Sequence, residues 1–269
     1  MPMSFQKTKS SSSSKQSGDK IMAIFSKPGR IAVLGGAGGI GRALVDHLLG
    51  EGHEVIVLDL AASLARHTLP VTSFEIDILS EASIETAFKA VENHWDTMDG
   101  LVNLVGYNSD LRPISETTTD YFDEILEGNL RGAFICARRC LPLMAQDSAI
   151  VMVSSGLATH VRAGYGAYSM AKAGLIALTK TLAVENAPRI RVNAVAPGLV
   201  DTAFLRGGTG RSEEDKDAII NMEAYRNALP MKRLAVPNDV VGPIAFLLSD
   251  ASRYMTGQVL WINGGGFMP

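Results

Sequence analysis

Apolar positions along this chain fall into short runs rich in Val and Ile, separated by longer segments with helical spacing. The runs are "RIAVL" (30–34), "EVIVLD" (54–59), "TSFEI" (72–76), "GLVNLV" (100–105), "AIVMVSS" (149–155), "IRVNAVA" (190–196) and "QVLWIN" (258–263). Runs of this length and composition read as strands buried on both faces. Between them, positions such as Ile84, Ala87, Phe88 and Val91 recur at three and four residues, which is one face of a helix. Strands alternating with helices predict βαβ units. The expected fold class is therefore α/β, a doubly wound parallel sheet with helices on both faces. No repeat period is present. The longest irregular stretch, "RGGTGRSEEDKDAIINMEAYRNALPMKR" (206–233), mixes glycines, charges and one short helical run. It belongs to an insertion over about 203–233 that is expected to act as a lid.

The N-terminal segment has a different character. "KTKSSSSSKQSGDK" is rich in serine and lysine and nearly free of apolar residues. Such a segment buries too little to offset its ordering entropy, so residues 1–27 are expected to be a disordered tail, with Met22 as an alternative start. It has neither the apolar core of a secretory signal nor the arginines of a transit peptide. The folded domain is expected over 28–269. The chain of 269 residues is 46% hydrophobic and 20% charged, which suits one globular domain. A net charge of −3 with both signs interspersed leaves no basic footprint for nucleic acid, and no apolar run is long enough for a membrane span. Cys136 and Cys140, four apart, read as core thiols rather than a disulfide or metal pair. That usage points to a reducing compartment and a cytoplasmic location.

The most informative stretch is "LGGAGGIGRAL", which places five glycines within residues 35–41, directly after the first strand run. Gly36, Gly38 and Gly41 spell G-x-G-x-x-G, and Gly35, Gly39 and Gly41 spell G-x-x-x-G-x-G. Either spacing puts glycine where a strand turns into a helix, where the backbone must bend tightly and approach a pyrophosphate. The helix N-terminus then offers free N–H groups to the phosphates. Asp59 ends the next strand run, 18 residues past Gly41, where a carboxylate can accept bonds from the adenosine ribose hydroxyls. The same carboxylate would repel the 2′-phosphate of NADP. Neither Leu60 nor Gly38 is basic, so NAD is the expected cofactor.

A second constellation lies in "SSGLATHVRAGYGAYSMAKAGL". Tyr168 and Lys172, four apart, share one face at the start of a helix, thirteen residues after Ser155. A free phenol ionises near pH 10 and is a poor base at neutral pH. A neighbouring ammonium together with an oxidised nicotinamide favours the phenolate. A serine at the end of the preceding strand can hold the substrate oxygen beside it.

With these residues in register the chain resembles the short-chain dehydrogenase/reductase family, from about Arg30 to Gly265. The resemblance implies a seven-stranded Rossmann-type sheet in a single domain, usually in a homotetramer. It extends the glycine-turn cofactor site to Gly35, Gly38, Gly39, Ile40 and Gly41. In "EGNLRGAF" it places Asn129 at the family's active-site asparagine, which helps hold a water linked to the lysine. Asp77 matches the acid that faces the adenine amino group, with Ile78 flanking the ring. "VAPGLVDTAF", with Pro197 and Gly198, resembles the segment after the sixth strand, where Val200 and Thr202 would meet the nicotinamide carboxamide. "TGQVLWINGG" resembles the closing strand. Two departures stand out. Leu34 replaces the usual threonine, and Asn103-Leu-Val-Gly106 replaces N-N-A-G. Since the lost hydroxyl would have bonded that turn, packing is expected to replace the hydrogen bond and leave the cofactor floor intact.

The expected activity is oxidoreduction of an alcohol/ketone pair (a secondary alcohol, a sugar or polyol, or a 3-oxoacyl group) with NAD(H). Tyr168 serves as acid/base, Lys172 lowers the phenol pKa and binds the nicotinamide ribose, Ser155 holds the substrate oxygen, and Asn129 positions a relay water. A non-catalytic NAD-binding sensor or scaffold would need the glycines and Asp59 but not the other four. A nucleotide-sugar epimerase or dehydratase would need a further substrate domain, whereas only "GGGFMP" follows the last strand run. The candidate substrate contacts are His160 and Arg162, in the loop before Tyr168, and Asn108 and Arg112, after the fourth strand run. An inward Arg162 or Arg112 would favour an acidic substrate.

Overall fold

A computed structural model describes residues 27–107, 110–206 and 220–268. The expected tail, apart from Lys27, lies outside the described residues, as do Asn108 and positions 207–219 of the expected lid. All seven anticipated strands are present: β1 (Arg30–Leu34), β2 (Glu54–Asp59), β3 (Thr72–Glu75), β4 (Met98–Asn103), β5 (Met144–Val153), β6 (Ile190–Pro197) and β7 (Val259–Ile262). They form one parallel sheet in the order β3-β2-β1-β4-β5-β6-β7. The helices are α1 (Gly39–Gly50), α2 (Ala61–Arg66), α3 (Glu81–His94), α4 (Thr119–Leu126), α5 (Gly132–Cys140), α6 (Gly166–Asn186), α7 (Met222–Ala228) and α8 (Pro237–Leu248).

The strands are apolar on both sides because both sides are covered. Ile31 and Val33 of β1 point into one core with Leu44 and Leu48 of α1 and Val240 and Ile244 of α8. Ala32 and Leu34 point into the other, with Ile84 and Phe88 of α3, Cys136 of α5 and Leu175 of α6. Cys136 and Cys140 are buried free thiols in that second core. Burial pushes the Cys136 thiol up to about 12, so it is not a reactive thiolate.

The strand edges differ from the apolar runs in two instructive places. β4 ends at Asn103 rather than 105, and β5 ends at Val153 rather than 155. In both, the last apolar or polar pair leaves the sheet and lines the cleft above it. β5 also begins earlier than expected, at Met144, which pairs with Met98. Strand order reverses between β1 and β4, and the connections there leave in opposite directions. This opens a crevice at the carboxyl ends of the strands.

Candidate active site

The crevice is a cleft of about 640 Å³ running from the glycine turn to α7 and the C-terminal segment. Its first wall is the β1–α1 turn. Gly35 has φ 79°, a conformation that disfavours any side chain. A Cβ on Gly41 would lie 2.3 Å from the Gly35 carbonyl oxygen, so only glycine lets α1 start this close to the strand. Gly38 caps α1 without a side-chain bond, leaving the first-turn N–H groups without a side-chain acceptor. Asp59, nearly buried, accepts from the Ala37 and Leu60 N–H groups, both at 2.8 Å, and bonds the Ser63 side chain. Burial raises the pKa of its carboxyl, and those three hydrogen bonds oppose the rise. Asp59 therefore braces the glycine turn as well as facing the cleft.

The floor is the segment after β4. Leu34 is fully buried with Val105 packed against the same core, and its carbonyl accepts from Leu104 N–H at 3.0 Å. Asn103 Oδ1 accepts from Val105 N–H at 3.0 Å. The turn is thus held by its own backbone and by packing, as expected for the two departures at Leu34 and 104–105. Gly106 lies where a Cβ would sit 2.6 Å from Asn129 Oδ1 and 2.8 Å from Lys172 Nζ. A hydrogen there lets both polar groups close on the floor.

Asn129 lies in a π-helical turn (Glu127–Arg131) between α4 and α5, an irregularity often found at functional sites. Its Nδ2 donates to Tyr107 O at 2.8 Å and Ile125 O at 2.9 Å, and its Oδ1 accepts from Tyr107 N–H at 3.2 Å. Both amide hydrogens are therefore spent on protein carbonyls. The side chain pins Tyr107 and the floor behind Gly106.

Ser155 caps a short 3₁₀ turn after β5, its Oγ accepting from Leu157 N–H at 3.2 Å. Its hydroxyl faces the Tyr168 phenol, which is buried in the first turn of α6, and stabilises the ionised form of that phenol. Lys172 is buried one turn further on and donates from Nζ to Val153 O at 3.2 Å. The neighbouring Ser154 donates to Lys172 O at 2.8 Å, tying β5 to α6. Burial pushes the Tyr168 phenol up to about 12; the Ser155 hydroxyl opposes this and the Tyr165 phenol adds to it. Burial alone takes the Lys172 ammonium down to about 8. The ammonium lies 5.6 Å from the Tyr168 ring centroid and faces a backbone carbonyl.

The remaining candidates divide. Gly35, Gly38, Gly39, Ile40, Gly41, Asp59, Ile78, Gly106, Pro197, Gly198, Val200 and Thr202 all line the cleft. The Cβ position of Gly39 lies 2.8 Å from Thr202 Cγ2, so the segment after β6 packs close on the glycine turn. Asp77 does not line the cleft. Its carboxylate accepts from Leu79 N–H at 3.0 Å, and its own N–H donates to Ser83 Oγ at 2.9 Å. His160 and Arg162 line the substrate end. Arg112 does not. It pairs with Asp110 at 2.8 Å and stacks on the Tyr121 ring at 4.4 Å, which corrects its candidacy as a substrate contact.

Several residues at the site carry no local signal in the sequence. Tyr107 closes the floor, and its hydroxyl is bonded to Glu124 Oε1 at 2.9 Å. Phe204, Tyr225 and Leu229, from the described part of the expected lid, cover the substrate end. Phe267 stacks on His160 at 5.0 Å and meets Trp261 edge-on at 5.2 Å. The apolar C-terminal segment thus places Phe267 against its own chain.

The donor set suits a dinucleotide: an uncapped helix N-terminus for phosphates, a carboxylate at the end of β2, and apolar walls from Ile78, Leu104 and Val105. A family model described as Enoyl-(Acyl carrier protein) reductase matches residues 35–266. The 3-oxoacyl-(acyl-carrier-protein) reductase of Aquifex aeolicus (strain VF5) is 34% identical over 247 residues, 87% of this chain and 96% of that protein. Among solved structures, a glucose/ribitol-type dehydrogenase/reductase from Brucella melitensis superposes with TM-score 0.79 at 27% identity, over 89% of this chain and 97% of that one. The ligand-free aldohexose dehydrogenase of Thermoplasma acidophilum gives TM-score 0.79 at 27% identity, covering 89% and 94%. The chain belongs to the short-chain dehydrogenase/reductase family, whose members are oxidoreductases that use a nicotinamide cofactor.

Proposed function

We propose that this protein is an NAD(H)-dependent oxidoreductase that interconverts a ketone and a secondary alcohol. The observation that carries the reading is the meeting of Ser155, Tyr168 and Lys172 at the base of the cleft, the serine after β5 and the phenol and ammonium one turn apart on α6. The nicotinamide, when bound, supplies or accepts the hydride. The chain's own residues do the rest. Ser155 donates a hydrogen bond to the substrate oxygen and orients it beside the phenol. In reduction the Tyr168 O–H gives its proton to that oxygen as the carbonyl carbon takes the hydride, so the alcohol leaves with both. In oxidation the proton returns to the phenol oxygen.

Lys172 holds the nicotinamide ribose and, from its place behind Gly106, supports the phenol in its charged form. Asn129 holds the floor that both rest on. Asp59 takes the adenosine ribose hydroxyls and opposes a 2′-phosphate, with no basic residue at Leu60 or Gly38 to offset it. A homotetramer is part of the same proposal.

The test compares Tyr168→Phe with Tyr165→Phe, because both phenols line the cleft. Tyr168→Phe should lower turnover by at least about 10²–10⁴-fold while NADH still binds with near wild-type affinity by fluorescence titration. Retained turnover in Tyr168→Phe with loss in Tyr165→Phe would refute the assignment.

A further inference from the structure

The substrate end of the cleft is apolar and aromatic, and among the described residues that line it Arg162 is the strong cation beyond Lys172. Tyr165, Phe204, Tyr225, Leu229 and Phe267 form its walls. Among the described lining residues no acid lies there; Asp59 is at the adenosine end. The cation is Arg162. Its Cζ lies 5.4 Å from the Tyr225 ring centroid, and its charge opposes the effect of burial on the Tyr165 phenol. Arg112, Arg226 and Arg233, from the nearby loops and the lid, are answered by Asp110, Glu223 and Asp239. Arg162 has no carboxylate partner among the described residues.

This arrangement matters chemically. A guanidinium held over a tyrosine face spends none of its N–H donors on the ring edge and keeps them for a ligand. Paired in-plane donors match the two oxygens of a carboxylate, and Arg162, exposed at the rim of the cleft, keeps them open to a ligand. Tyr225 also sets the distance. Its hydroxyl lies 3.3 Å from the Cβ position of Gly198, at the end of β6, while its ring faces Arg162. The cation therefore sits about one tyrosine ring away from the nicotinamide-facing end of β6.

We propose that the ketone substrate is an oxo acid with an apolar body, its carboxylate bound by Arg162 and its chain lying along Tyr225. This deepens the oxidoreductase reading and rests on it. Neutral sugars and polyols, with many hydroxyls to satisfy, do not match walls of this kind.

The test uses 3-oxohexanoate and 5-oxohexanoate, each beside its methyl ester, with the wild type, Arg162→Gln and Arg162→Lys. Consumption of reduced NAD is the first readout. Calorimetric titration of the same four compounds into NADH-loaded Tyr168→Phe, with and without Arg162→Gln, is the second. In the wild type at least one acid should exceed its ester in kcat/KM by about tenfold or more. In Arg162→Gln that ratio should fall toward one, through KM rather than kcat, and Arg162→Lys should recover part of it. Added salt should weaken the acid and not the ester. Esters used as well as acids by the wild type, or an acid-to-ester ratio unmoved by Arg162→Gln, would overturn the proposal. Absence of turnover with all four compounds would count against the activity reading. The titration would still decide Arg162: acid binding lost in Arg162→Gln supports the proposal, and equal binding in both refutes it.

Discussion

Replacing Lys172 with methionine should stop turnover and yet make the protein more stable at neutral pH. Lys172 is 3% exposed, and burial alone takes its ammonium from the ordinary 10.5 to about 8. That difference of roughly 2.5 units, at 1.36 kcal/mol each, makes the charged side chain cost about 3 kcal/mol of native stability below pH 8. The bond to Val153 O offsets about 1 kcal/mol, so methionine should gain about 2 kcal/mol. At about 2–4 °C per kcal/mol for a domain of this size, Tm should rise by roughly 4–8 °C at pH 7.

The pH dependence provides a second check. Between pH 8 and 10.5 the unfolded chain holds a proton on this amine that the folded chain has released, so wild-type stability should rise with pH through that window. Tyr168 acts in the opposite sense. Its phenol moves from 10.0 to about 12, so above pH 10 the folded chain retains a proton that the unfolded chain loses, and stability falls. Melting the cofactor-free wild type and Lys172→Met at pH 7 and pH 9 should show a gap that narrows at the higher pH. A variant less stable than the wild type at pH 7, or a gap that stays constant, would refute the argument.

Asp59→Asn keeps the shape of the carboxylate but removes its charge. It should raise NADP affinity relative to NAD by about tenfold or more, read by fluorescence titration with both reduced cofactors, and an unmoved ratio would contradict the role of charge. Phe267→Ala removes a ring from between His160 and Trp261. It should raise substrate KM several-fold with little change in NADH affinity; a change confined to NADH would place the ring's effect elsewhere. The apolar groove of Leu126, Leu130, Phe134 and Leu178, on α4 through α6, fits a contact between copies. Light scattering at micromolar concentration should show a tetramer for the wild type and smaller species for Phe134→Glu, and a wild-type monomer would sink this reading.

Features that depend on neighbours along the chain can be read directly from the order of residues. The seven strands were legible because a strand covered on both faces needs a short apolar run, whatever covers it. The glycine turn, Asp59 and the Ser155–Tyr168–Lys172 set were legible because each lies within one βα unit, where spacing alone fixes geometry. Arg112 and Arg162 read alike as loop arginines near the sheet's carboxyl ends. Only the fold separated them, by giving Arg112 to Asp110 and Tyr121 and resting Arg162 on Tyr225. Tyr107, Tyr225 and Phe267 meet at one cleft from three distant parts of the chain, and no local spacing encodes that meeting. The four-residue spacing brought the Tyr168 phenol and the Lys172 ammonium together, but the burial that raises the one pKa and lowers the other belongs to the whole packed domain.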